Sequence, residues 1–259
     1  MKTLLLVFIT FLIAIIATEA RPKAKKDTWL FGEFSNNLIY SNVGKSQLEK
    51  EIYRLQEFEL CIRHMFPNIV EHQQKSTVFI IPDTRDELYD FLPYWNDRLM
   101  NVSGVFMTGE SLHVTLMDGE ALSNPIPDNT ILHEYVHKIL APAGYTPPWV
   151  AEGLAEALAH FEKDGKYYYF GREIGLKLAH LRNDPQAYMS LIDMFRTGLD
   201  STNYHVRGRQ QGFYTTAWLM ATYCLNSQNE DLRTAYVKLW ARNLEEPIPD
   251  EVFRECFGF

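Results

Sequence analysis

The stretch Ile131 to Glu156 constrains this 259-residue chain more than any other, because its residues make sense only as two helices brought face to face. It opens with His133-Glu134-Tyr135-Val136-His137 and, past a proline-rich turn, continues as Trp149-Val150-Ala151-Glu152-Gly153-Leu154-Ala155-Glu156. Side chains four apart on a helix share one face, so His133 and His137 can aim two imidazoles at a single point. That point suits a metal ion. Glu134, rotated about 100° from His133, can reach a water there without being a ligand, as a general base must. A catalytic zinc needs a third protein ligand and one open position, so a carboxylate is expected on another element, and Glu152 is the candidate.

The flanking residues predict both helices. Asp128, Asn129 and Thr130 offer N-cap oxygens, Pro142 and Gly144 provide the stop, and Leu132, Val136, Ile139 and Leu140 make a buried stripe beside the histidines. The second helix is expected to start after Pro147-Pro148 and run to about Glu162, with Leu154, Leu158 and Phe161 apolar and with Gly153 letting the two helices approach closely. Glu156, one turn beyond Glu152, is placed to accept the far N–H of a ligand histidine, with a solvated surface charge as the alternative. His160 is read as a surface or packing histidine, because a fourth protein ligand would close the open position.

His133-Glu-x-x-His137 followed by Trp149-x-x-Glu152-Gly153-x-Ala155 resembles the gluzincin zinc metallopeptidases, and especially the peptidase MA-like domains of secreted bacterial proteins. The resemblance implies zinc bound by His133, His137 and Glu152, one ion per chain, with Glu134 activating water for peptide-bond hydrolysis. Fourteen residues separate His137 from Glu152, fewer than in the large aminopeptidases, so recognition of a substrate N-terminus is not carried over. The same resemblance makes Tyr214, at the start of a later helix, the expected donor to the oxyanion, with His205 as the fallback and an ordinary core tyrosine as the alternative. A zinc-stapled module without catalysis is the competing function. No G-x-S-x-G elbow, P-loop or glycine-rich dinucleotide fingerprint is present.

From the beginning, Leu4 to Ala17 are apolar apart from Thr10, follow Lys2, and lead into Thr18-Glu19-Ala20, which predicts a signal peptide over residues 1–20 and secretion or periplasmic export. Arg21, Lys23, Lys25 and Lys26 make residues 21–27 a basic leader, and that positive flank leaves a retained membrane anchor as the other reading. The whole chain has 25 basic and 33 acidic residues; from Asp27 onward the balance is 20 against 32, a net of −12, which argues against nucleic acid as a partner, while a peptide or protein substrate is what the resemblance implies. Three cysteines, Cys61, Cys224 and Cys256, allow at most one bridge, with Cys224–Cys256 the guess and three buried thiols the alternative.

The rest predicts an α+β fold: a small N-terminal mixed sheet with helices, then the zincin helix and a mainly helical C-terminal half, as one domain over residues 28–259 with a sheet-containing part (28–128) and a helical part (129–259). Strands are expected within Trp29–Ser41, at Thr77–Ile81, Gly104–Met107 and Leu112–Leu116, and a helix over Gln47–Met65. By the resemblance, the strand Leu112–Leu116 would run along the cleft and offer an edge to an extended substrate. His113 in it reads as a strand-face residue. Lys166 to Phe170 is either an aromatic substrate wall or, more commonly, a strand or loop packing on the core. Helices are then expected at Leu176–Arg182, Ala187–Phe195, Gly212–Leu225, Asp231–Arg242 and Asp250–Phe257, the third buried on nearly every side.

Overall fold

A computed structural model describes residues 28–67, 75–95, 97–122, 129–141, 146–170, 181, 182, 184, 188–205, 209–241 and 250–258. The signal peptide and basic leader expected over residues 1–27, and all but the last two residues of the helix expected at Leu176–Arg182, lie outside this set. The fold is α+β, with a five-stranded mixed sheet in the N-terminal half and a helical C-terminal region.

The chain enters as a hairpin, β1 (Leu30–Phe34) and β2 (Asn37–Ser41), turned at Ser35 with φ 49°. Helix α1 (Lys45–Met65) follows and buries Leu48, Leu55, Phe58 and Ile62 along one stripe, as its three-and-four spacing requires. Then come β3 (Thr77–Ile81), α2 (Arg85–Tyr89, capped by the Thr84 hydroxyl), the short strands β4 (Tyr94–Trp95) and β5 (Arg98–Leu99), β6 (Gly104–Thr108), β7 (His113–Met117) and α3 (Gly119–Leu122). The sheet order is β1-β2-β3-β7-β6: β2, β3 and β7 are parallel, and β1 and β6 join antiparallel on the two flanks. The central strand alternates by face. Thr77, Phe79 and Ile81 are fully buried, while Val78 and Ile80 on the opposite face are half-buried, with Ile80 packing on the small cluster of Leu88 and Leu92.

This order corrects the expectation for the cleft. The strand at 113–117 is paired on both sides, so it has no free edge; among the described residues the edge toward the helix carrying His133 and His137 belongs to β6. The reason is non-local. Once β7 takes its place parallel to β3, the antiparallel partner from the preceding turn is forced outside it.

In the C-terminal half, α4 (Thr130–Leu140) and α5 (Pro148–Ala159) are followed by a hairpin of β8 (Phe161–Asp164) and β9 (Tyr167–Phe170), turned at Gly165 with φ 61°. Helix α5 therefore stops three residues before the expected Glu162. Phe161 is the first strand residue, pairing with Phe170, and both rings pack on Phe58 of α1. The tyrosine run is thus a strand laid on the core, with Tyr167 and Tyr168 left exposed. Next are α6 (Leu191–Phe195), α7 (Thr202–His205), α8 (Arg209–Asn226), α9 (Glu230–Ala241) and α10 (Asp250–Phe257). Helix α6 begins at Leu191 rather than Ala187 because Ser190 caps it, its hydroxyl accepting from the Asp193 N–H. Helix α8 is not covered all round, since Tyr223 is exposed. Among the described residues no helix is long and apolar enough to cross a membrane.

One core joins the two halves. Tyr135 of α4 lies against Phe34, Phe58 and Phe79 at ring separations of 6.1 to 6.3 Å. Its hydroxyl donates to Glu59 Oε2 at 2.8 Å, and Glu59 also takes bonds from Ser35 and from Arg63. Lys138, 1% exposed, sits over the Tyr135 ring beside the same carboxylate, and burial, partly opposed by Glu59, lowers its ammonium to about 8. The far side of α4 is thereby fixed to α1, which holds its histidine face in place.

Candidate metal centre

Helix α4 has one face in the core, where Leu132, Tyr135, Val136 and Ile139 are buried, and its other face turns His133 and His137 toward α5. On α5 the ordered start comes from Pro148 in the first turn, where its missing N–H costs nothing, and from Trp149, fully buried against Phe195 and Tyr236. This sets the rotation of α5 so that Glu152 points at the histidine pair. Gly153 serves a different contact from the expected one: a Cβ there would stand 2.5 Å from the Ala217 carbonyl oxygen, so it is α8, not α4, that comes close.

Three donor atoms converge. His133 Nε2 and His137 Nε2 are 3.1 Å apart, and Glu152 Oε2 lies 3.2 Å from the first and 3.5 Å from the second. Donors bound to a tetrahedral zinc at about 2.05 Å are separated by about 3.3 Å, so the triangle fits such an ion. The residues also fit by chemistry: Glu152 Oε2 is buried and has no hydrogen-bond partner in the protein, an arrangement that is costly unless something positive fills the point it faces. The electrostatics agree. Burial opposes ionisation of Glu152, yet the His137 and His133 imidazoles hold its carboxyl far below the usual carboxylate range. Burial likewise lowers His133, but the Glu152, Glu134 and Glu156 carboxylates outweigh it and raise the imidazole to about 9. The cluster thus favours positive charge at this point, as protons or as a cation.

Glu134 is buried beside this triangle and accepts from the Phe106 backbone N–H of the β6 edge. Burial and the Glu152 charge raise its carboxyl above the ordinary value, the direction that suits a proton carrier. Gly104 is required here, because a Cβ would meet Thr130 at 2.6 Å and Glu134 at 3.1 Å. Glu156 Oε1 lies 3.5 Å from His133 Nδ1, facing the ring nitrogen opposite the donor one. The Tyr214 ring lies nearly parallel to that of His133, 6.4 Å away, and burial pushes its phenol well above the ordinary value.

Compared with known proteins, the chain matches no family, no curated protein and no solved structure.

Other candidates lie apart from the triangle. His160 caps α5 and stands 3.2 Å from the Asn129 amide, whose oxygen accepts from Arg54 at 2.6 Å. Asn129 at the α4 N-terminus therefore bridges α1 and α5 instead of capping its own helix, as its neighbours led us to expect; Asp128 lies outside the described residues. His113 is buried in β7 against Phe106. His205 ends α7, and its side chain lies outside what the structure describes. The three cysteines are free thiols, so the Cys224–Cys256 bridge is not formed; Cys224 is buried in α8, with its Sγ 3.9 Å from Met220 Sδ.

Sequence reasoning missed Tyr204. Its hydroxyl donates to Glu152 Oε1 at 2.5 Å, and its ring lies nearly parallel to that of Tyr214, 6.2 Å away. Nothing periodic marks it: it sits in a four-residue helix 52 residues after Glu152.

Proposed function

We propose that this chain is a zinc-dependent peptidase of the gluzincin kind, exported by its N-terminal apolar segment and acting on peptide or protein substrates. The observation that carries the reading is the convergence of His133 Nε2, His137 Nε2 and Glu152 Oε2, with the Glu134 carboxylate beside them on the helix of the two histidines. Residues 1–20 support export by their pattern, and the resemblance of the two helical motifs to peptidase MA-like domains supports the chemistry.

In this reading His133, His137 and Glu152 hold one zinc ion, which when bound supplies a Lewis acid that polarises a carbonyl and acidifies water. Glu134 takes the proton from the attacking water and returns it to the leaving amine, so the scissile C–N bond breaks as a neutral amine departs. Tyr214 donates a hydrogen bond to the oxyanion of the tetrahedral intermediate. The β6 edge beside Glu134 accepts an extended backbone by strand addition, which aligns the substrate over the site.

The test is cleavage of a broad peptide library by wild type and Glu134→Gln, read together with zinc content. The expected result is cleavage by wild type and its loss in the variant, both with one zinc. Equal zinc and no cleavage by either protein would leave a zinc-stapled module in its place.

A further inference from the structure

The two oxygens of the buried Glu152 carboxylate have different surroundings. Oε2 faces the two imidazoles and has no hydrogen-bond partner. Oε1 accepts the Tyr204 hydroxyl at 2.5 Å, at the short end of the range for an O–H donor on an ionised acceptor. Tyr204 reaches it from α7, which is held by its own bonds: the Tyr204 N–H donates to the Ser201 carbonyl, the Asn203 N–H to the Ser201 hydroxyl, and the Asn203 amide to Thr197 Oγ1. Its ring is clamped edge-on against Phe213 at 5.6 Å and nearly parallel to Tyr214 at 6.2 Å.

We infer that Tyr204 is the positioning residue of the metal ligand Glu152: by occupying Oε1 it fixes the carboxylate so that Oε2 alone is offered to the cation. The inference rests on the metal reading above. A free carboxylate can rotate and bind a cation through either oxygen or both; a strong donor on one oxygen selects single-point attachment. That donor also draws charge from the carboxylate, which leaves a bound cation a stronger Lewis acid.

The experiment is zinc affinity by chelator competition on the full chain, for wild type, Tyr204→Phe, Glu152→Ala and the double variant. Melting of each metal-free protein is the control for folding. The expected result is one zinc in wild type, a loss of affinity of about 10- to 100-fold in Tyr204→Phe with its metal-free melting unchanged, and less than about a twofold further loss when the hydroxyl is removed from Glu152→Ala. Cobalt in place of zinc gives a second readout, with the d–d absorption of Tyr204→Phe shifted from that of wild type. An affinity and spectrum unchanged in Tyr204→Phe would overturn this inference and leave the metal reading standing, and so would an equal loss in the Glu152→Ala background. A wild type that binds no zinc would overturn both.

Discussion

Glu134 carries a specific expectation because it is buried beside the His133, His137 and Glu152 group. Glutamine fills the same volume and can keep the bond from the Phe106 N–H, but it cannot take a proton. Glu134→Gln is therefore expected to lower kcat/KM on a cleaved peptide by about 10²- to 10⁴-fold, with zinc still bound. On the other side of α4, Glu59 gives a pH expectation. Burial raises its carboxyl, but the bonds from Arg63 and Tyr135 and the charge of Lys138 outweigh that and hold it below its ordinary value. A carboxyl depressed by folding contributes stability that is present above its unfolded pKa of about 4.3 and is lost as pH falls through the lower folded value. Denaturant midpoints should thus fall between about pH 5 and pH 3 in wild type, and Glu59→Gln, already less stable at pH 7, should show a shallower fall. His133, Glu134 and His137 are legible in the sequence because a helical period puts each on a known face, and Glu152 because the resemblance's Trp-x-x-Glu-Gly pattern singles it out. Tyr204 is not, because its partner lies 52 residues away and no local pattern links them.

The elements divide in the same way. Thr77–Ile81 and Lys45–Met65 could be read from alternation and from the three-and-four spacing, since each is decided by the face it buries. What could not be read is which element stands next to which. Strand order depends on parallel pairing across long intervals, so β6, not the strand expected at Leu112–Leu116, provides the edge. At Gly153 the close approach is made by α8, which fills the Cβ position, and not by α4 as its sequence context suggests. That correction makes a prediction at this scale. Gly153→Ala places a methyl 2.5 Å from the backbone of Ala217, so α5 and α8 must separate; the expected cost is about 1–3 kcal/mol, seen as a fall of several degrees in Tm. The displacement also moves Glu152, so zinc affinity should fall with it. Gly165, whose φ is also positive but whose Cβ position is open, bears on the hairpin turn alone.

For the whole molecule, the site is an interface property. The sheet half supplies Gly104 and the Phe106 N–H, α4 the histidines and Glu134, α5 Glu152 and Glu156, and α7 and α8 the two tyrosines. A cation bound to the native triangle and not to the unfolded chain stabilises the fold as a unit, by about 4 kcal/mol at a thousandfold excess over its dissociation constant. Chelation is thus expected to lower Tm by several degrees, and zinc to restore it. The most direct test of the central claim is the metal stoichiometry of the purified chain by elemental analysis, alongside Glu152→Ala. One zinc per chain in wild type, and loss of that zinc in the variant after brief dialysis against a mild chelator, is the expected result; wild-type protein without stoichiometric metal, after growth and titration with zinc, would contradict it.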